Sequence, residues 1–397
     1  MSRTISPANR EAIARILACV PVWSGVASAR DALALPDRTL LHAGPPLADP
    51  TRPPPPMLNA AVLACLHEGW ADGEVAAEAL IAAGTVRLEP GLARRVSTPL
   101  VSLVGPRTTL VVLHDANAPA RRWFGFLGSG GGAQMRFGAR DRAILERLAF
   151  RERELAPGFA ALLGAGPVDL LSIARSALTE GDDLHNRLSS ATLVLQAVLA
   201  SRKVDAAAAQ AALATILEAP LYFLNLWMPA CALMLDAAVG AAGATLVTRL
   251  AANGEVCGIQ LAGMPERWFT APAGLVRGPL MKGAPEHPQF PPATGDSGII
   301  DAFGLGGQVL RRAPSLLTAF EPWLAEDDAA RALGMLTAIH PVLGVAVGVD
   351  AAAVAAGGRG PLLSTGMVSA DGRGLLGRGL CEMPVDLFRV ACAALDA

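Results

Sequence analysis

The stretch from Leu221 to Val247 constrains the chain most, because it is the best candidate for a membrane span and has two ways to be stable. It is long enough to cross a bilayer, yet it carries Asn225, Pro229 and Asp236. An aspartate near the centre of a span costs roughly 2.5–3.5 kcal/mol, and the glycines and alanines after Asp236 thin the apolar content. A helix or helix pair buried in a large core is the less costly outcome, so no membrane association is expected. The rest of the composition agrees with a large core: 397 residues, 52% apolar, only 17% charged, mean hydropathy +0.40. Those values exclude disorder, which needs low hydrophobicity and high net charge. With 33 basic residues against 35 acidic ones, there is no electrostatic footprint for nucleic acid. The opening residues MSRTISPANREA contain no apolar core of a secretory signal. Six cysteines never fall at CxxC spacing and read as reduced, buried small hydrophobes of a cytoplasmic protein.

The pattern predicts a mixed α/β, multi-domain architecture of the α+β kind, with two α/β portions and a helical subdomain inserted between them. Residues 1–40 form a short N-terminal segment with a helix over Ala8–Ala18 and a strand over Val20–Trp23. Residues 41–140 form the first α/β domain. It holds a Pro-rich loop at Asp49–Pro56 and two helices between Met57 and Gly84, ended by Gly69 and Gly84. A β-rich run from Leu100 to Leu113 follows. Residues 141–219 read as helical throughout, with Asp205 capping a polyalanine helix. Residues 220–397 form the C-terminal α/β domain, with strands at Val256–Leu261, Val345–Val349 and Leu362–Thr365.

The densest chemistry lies in Asp182-Asp183-Leu184-His185-Asn186-Arg187. On a helix, Asp182, His185 and Asn186 would share one face and Asp183 would meet Arg187. An Asp-oriented imidazole beside an amide and a guanidinium could act as acid or base while holding an anion. The plainer reading is an N-cap, a surface ion pair and a packed histidine. Arg267-Trp268-Phe269-Thr270 could build one wall of a planar-ligand pocket, Arg267 gripping a carboxylate or phosphate. It could equally be a strand end whose aromatics fill the core. Thr294-Gly295-Asp296-Ser297-Gly298, followed by Gly304-Leu305-Gly306-Gly307, could form an anion nest. Gly128-Ser129-Gly130-Gly131-Gly132 lacks the Lys of a P-loop and reads as a flexible turn or lid. No metal or cofactor is expected. Asp182, Asp183 and Asp296 could hold a divalent cation, but nothing in their spacing requires one.

Taken in order, these segments resemble one family. The series starts with Leu41-His42-Ala43-Gly44-Pro45-Pro46, His67-Glu68-Gly69-Trp70-Ala71 and Gly181 to Arg187. Phe223-Leu224-Asn225-Leu226, Ala252-Asn253-Gly254, Arg267 to Pro272 and Gly295-Asp296-Ser297 follow. Gly304 to Gly307, Gly348-Val349-Asp350 and Thr365-Gly366 close it. From about Ser6 to the C-terminus the chain resembles the YlbE-like family, whose genes sit beside those for FdrA-like proteins. The resemblance implies a subunit of the oxamate carbamoyltransferase of anaerobic allantoin breakdown, which passes the carbamoyl group of oxalurate to phosphate. It implies a small ureido substrate, phosphate, and an FdrA-like protein partner or a homo-oligomer. The implied roles are acid–base work for His185 with Asp182. Substrate or phosphate binding falls to Asn186, Arg187, Asn225, Arg267, Trp268, Thr270, Asp296, Ser297 and Thr365.

The chain also departs from that family. The resemblance makes residues 1–40 the remnant of a longer domain. A Cys-His-His-His-type cluster is replaced by Gly91-Leu92-Ala93-Arg94 after Pro90. Ala232 stands for a Lys, Ala252 for an Arg, Asp301 for a Glu, Ser364 for an Asn and Ser369 for a His. Two expectations follow from the lost groups. One is a divergent carbamoyltransferase-type enzyme or enzyme subunit. The other is a non-catalytic scaffold or regulatory subunit for an FdrA-like partner.

Overall fold

A computed structural model describes residues 5–395. The architecture is mixed α/β, as the pattern predicts. In one mostly antiparallel sheet Thr109–Asp115 is the central strand, and Pro21–Ser28 lies between it and the edge strand Val168–Asp169. Ala118–Phe126 extends the sheet, and Val96–Ser97 joins the far side in parallel, making five strands. The first strand runs on to Ser28, past the Trp23 that ends the expected one, because a register shift at Trp23/Gly25 lets pairing with Thr109–Asp115 resume. This sheet ties residues before 40 to residues on both sides of position 140. A second sheet of four strands orders Met264–Pro272, Val256–Leu261, Val247–Asn253 and Thr294–Gly295. The hairpin Leu362–Val368/Leu375–Glu382 stands apart as its own two-stranded sheet.

The middle is mostly helical, with Ala143–Phe150, Ala156–Leu163, Leu170–Thr179, Ser189–Ala200 and Ala207–Leu217, but not throughout: Val168–Asp169 is a strand, because it pairs with Val22 and Trp23 at the edge of the first sheet. Two further local expectations fail. Asp205 does not cap the polyalanine helix, whose N-cap is Ala206 with no side-chain bond. Residues 101–104 are buried but form no strand, because only Val104 finds a bridge, to Leu41.

The candidate membrane span becomes the helix Leu224–Asp236, buried without interruption from Asn225 to Leu235. It packs on the three long strands of the first sheet, on Val247–Asn253 and on the short helix Gly298–Phe303. It has 13 residues, about 20 Å at 1.5 Å each, which is short for a bilayer. Among the described residues no helix is long and apolar enough to cross a membrane. Pro229 inside this helix cannot donate to Asn225 and crowds its carbonyl. The strand residue facing that point is Gly125, where an added Cβ would lie 2.7 Å from the Pro229 ring. Cys19, Cys65, Cys231, Cys257 and Cys381 are free thiols, all of them buried.

Candidate active site

The connection between Leu170–Thr179 and Ser189–Ala200 is a tight loop, not the helix its spacing suggested. The cause is Asp183. Its Oδ1 accepts the backbone N–H groups of His185, Asn186 and Arg187 at 3.0, 2.8 and 2.8 Å, and Oδ2 accepts Asn186 Nδ2 at 3.0 Å. A carboxylate that captures three amides offers the backbone a better partner than a helix would. Leu184 turns through φ +60° to allow it. Asp182 accepts the Ala191 N–H of the next helix at 2.9 Å, and its other oxygen lies 3.5 Å from Arg187 Nε. Arg187 also donates to the carbonyls of Glu180 and Gly181. Both residues therefore hold the loop together.

His185 finds its carboxylate elsewhere. Its Nδ1 lies 3.1 Å from Asp301 Oδ2, close in distance though out of line for a hydrogen bond. Asp301 is fixed by the N–H of Gly307 at 2.8 Å and by the N–H and hydroxyl of Ser364 at 3.0 and 3.2 Å. Burial works to lower the pKa of His185, but the Asp301 charge outweighs it and raises the pKa above that of a free histidine. The Gly304–Gly307 segment closes over this pair and is no anion nest. At Gly306 (φ +57°) an added Cβ would sit 2.6 Å from Asp301 Oδ1 and 2.8 Å from His185 Nδ1, so only glycine fits. Asp301 thus supplies the orienting carboxylate that was expected of Asp182.

His185 and Asn186 open onto a cavity of about 110 Å³, together with Ser297 and Thr365. Its walls are Leu100, Phe137, Leu221, Leu224 and Leu375. Two arginines that sequence reasoning missed complete the lining, Arg136 and Arg378. Arg136 comes from the 3₁₀ turn Met135–Phe137, its guanidinium 4.8 Å from the Phe137 ring centre. Its Nε is buried without a hydrogen-bond partner, and burial pushes its pKa down to about 10. Arg378 lies on the second strand of the hairpin and donates to the Asn186 carbonyl. Neither has a motif around it to mark it. A larger open groove of about 730 Å³ runs from Gly307 to Leu333, but no predicted site residue lines it.

The other predicted residues lie away from this cavity. Asn225 is buried in its helix and donates to the Tyr222 carbonyl at 2.8 Å. Arg267 and Thr270 are exposed and Trp268 half-buried on the edge strand Met264–Pro272, with Arg267 4.8 Å above the Phe269 ring. Asp296 is fully buried next to Ser297 but points into the protein. Its Oδ1 accepts Gly44 N–H at 2.7 Å, and Oδ2 accepts the N–H and hydroxyl of Thr98 at 2.8 and 3.1 Å. Burial raises its pKa to about 7. Of the two hydroxyls on the lining, Thr365 donates to the Thr294 carbonyl at 2.7 Å, while Ser297 has only a 3.5 Å contact with the Ser364 carbonyl. The Gly128–Gly132 segment is no free lid. Tyr222, Gln134 and Arg147 donate to its carbonyls, and Gly131 donates to Glu218. Among the described residues no group of three His, Cys, Asp or Glu side chains is placed to hold a metal ion.

Comparison with known proteins adds the biochemical setting. The model of the family described as oxamate carbamoyltransferase subunit AllG matches residues 86–297, a span that takes in Arg136, His185, Asn186 and Ser297. Oxamate carbamoyltransferase subunit AllG of Escherichia coli (strain K12) is 29% identical over 415 residues, covering 100% of this chain and 98% of that one. The uncharacterized protein YahG of the same organism is 28% identical over 410 residues, covering 98% of this chain and 85% of that one. Among solved structures, a conserved protein of unknown function from Enterococcus faecalis V583 superposes with a TM-score of 0.89. It is 26% identical, and the match covers 98% of this chain and 97% of that one.

Proposed function

The chain belongs to the family of oxamate carbamoyltransferase subunit AllG, and from that premise we propose that it takes part in moving a carbamoyl group between a ureido acid of the oxalurate type and phosphate, in a complex with an FdrA-like partner. The observation that carries the reading is the buried His185–Asp301 pair at the edge of a small cavity lined by Asn186, Ser297 and Thr365.

Such a transfer needs little from the protein beyond a proton in the right place and donors for an oxyanion. A phosphate oxygen attacks the carbamoyl carbon, and the carbonyl oxygen takes up negative charge. The bond from that carbon to the imide nitrogen then breaks. The leaving nitrogen must gain a proton to depart as the amide of oxamate, and the attacking hydrogen phosphate must lose one. His185, whose pKa the Asp301 charge raises, gives a proton to the nitrogen and regains one from the phosphate, so protons balance over the cycle. Ser297 has a hydroxyl with only one long contact, and Asn186 keeps one amide hydrogen beyond its bond to Asp183. Both are suited to the developing oxyanion.

The test is carbamoyl phosphate formation from oxalurate and phosphate by the purified chain, with and without an FdrA-like partner. His185→Gln should lower turnover of the competent assembly by about 10²–10⁴-fold, the usual contribution of a positioned acid or base, while the melting curve stays that of a folded protein. An assembly that turns over equally well with His185→Gln would remove His185 from the chemistry. Turnover that needs the partner and ignores every residue of this cavity would make the chain a scaffold.

A further inference from the structure

We propose that the cavity beside His185 is an anion site, that Arg136 sets its specificity, and that its ligand is a small compound carrying a carboxylate or phosphate group. The inference rests on the same cavity as the reading above and adds the charge class of what enters it.

Charge balance points to an anion. No Asp or Glu lines the cavity, whereas Arg136 and Arg378 do. The carboxylates behind its lining are already engaged: Asp301 with His185, Gly307 and Ser364, Asp183 with the amides of His185 to Arg187, and Asp296 with Gly44 and Thr98. Among the described residues the Arg136 guanidinium has no ion pair and no hydrogen bond, and its Nε is shielded from water. Half-buried and with no carboxylate to pair with, this charge is partly stripped of water at a cost, and burial lowers the Arg136 pKa accordingly. In the surrounding fold only the Phe137 ring, 4.8 Å from the guanidinium, offsets it, and no carboxylate does. An incoming oxyanion would, with two parallel N–H···O bonds to the planar guanidinium.

Size and shape narrow the ligand further. A volume of about 110 Å³ falls well short of the roughly 300–1,000 Å³ of sites for drug-sized ligands and suits a ligand of a few heavy atoms. The apolar side chains Leu100, Phe137 and Leu224 strip water from whatever binds, and this strengthens a charge-assisted bond at Arg136. Arg378, bonded to the Asn186 carbonyl, couples a second cation to the loop that carries His185.

Binding of three probes to the intact chain tests this by calorimetry and thermal shift: oxamate, inorganic phosphate, and oxamide, the neutral isostere of oxamate. At least one anion should bind and raise the melting temperature, and oxamide should do neither. Arg136→Met should weaken that anion about 10–100-fold, as loss of a hydrogen bond to a charged group predicts. Without ligand it should melt no lower than the wild type, since it deletes an unpartnered charge. If Arg136→Met does not fold, oxamate against oxamide on the wild type decides the question alone. Phosphate without oxamate, or the reverse, identifies which oxyanion the site takes. The proposal falls if neither anion binds at millimolar concentration, if oxamide binds as well as oxamate, or if Arg136→Met binds like the wild type. Anion binding through Arg136 in a protein whose complexes transfer no carbamoyl group would keep this inference and discard the reading above. Undiminished transfer by Arg136→Met would do the opposite.

Discussion

Asp296 is a buried carboxylate that clasps two separate segments, at Gly44 and Thr98, and its replacement by Asn should reverse the order of stability of variant and wild type between acid and alkaline pH. In the folded chain its pKa is raised to about 7 from an ordinary value of 3.8, chiefly by burial. Below pH 3.8 both folded and unfolded forms keep the proton and nothing changes. Between 3.8 and about 7 the folded chain holds a proton that the unfolded chain has released, so stability falls with each step up in pH. Each pH unit of that gap is worth about 1.4 kcal/mol, so roughly 3 kcal/mol disappears between pH 5 and pH 8. Asp296→Asn removes the titration but keeps only part of the clasp. The amide can accept from Gly44 or from Thr98, and it turns an NH₂ toward the other donor. That mismatch costs about 1–3 kcal/mol at every pH. The variant should therefore be less stable than wild type at pH 5 and equal or more stable at pH 8. Urea unfolding followed by tryptophan fluorescence at both pH values gives the comparison. Other shifted groups cancel in it, including Glu68, raised to about 7, and His42, lowered to about 4. Profiles that stay parallel for the two proteins, within about 1 kcal/mol from pH 5 to pH 8, would refute this account of Asp296.

Two shorter predictions bear on the site. Asp301→Asn removes the charge that raises the His185 pKa, so the alkaline limb of the pH–rate profile should move to lower pH. The His185–Asp301 attraction itself contributes stability that is full below the free histidine pKa of 6.5 and is lost as pH rises through the folded value. The pH dependence of the melting temperature between 6 and 9 should flatten in the same variant. Arg267→Ala should change stability by less than about 1 kcal/mol, the scale of an exposed cation–π contact. It should leave oxamate and phosphate binding intact, because its strand lies at the outer edge of the second sheet. A binding defect in that variant would return the Arg267–Thr270 wall to the site.

Signals carried within a few neighbouring residues are legible in the sequence itself. The helix Pro55–Glu68 ends at Gly69 in the left-handed conformation, as glycine after a periodic run predicts. The strand Val256–Leu261 and the helical middle follow from the same local rules. The candidate site is half legible, since His185, Asn186, Ser297 and Thr365 stand on one lining. Helical spacing misreads the loop of Asp182 to Arg187, because it ignores what a single carboxylate does when three amides lie within its reach. Asp301 stands out in the sequence only as a departure from a family pattern. Its role depends on the Gly304–Gly307 turn folding across His185, a contact that no spacing along the chain encodes. Arg136 and Arg378 belong to no motif. Each is an isolated arginine whose meaning comes from the cavity it faces, where no carboxylate stands.

The cavity draws its walls from the turn after residue 97, the 3₁₀ turn at Arg136, the loop at His185, the head of the Leu224 helix, Ser297 and the C-terminal hairpin. Contacts that far apart along a chain close late in folding, since each must first overcome the entropy of a long loop. The cavity is therefore complete only once every one of these segments has docked. A ligand that fills it acts on the whole fold and not on one lobe, because opening any contributing segment releases it. Cutting the chain before the hairpin would remove Thr365 and Arg378 together, and no shorter fragment can inherit the chamber.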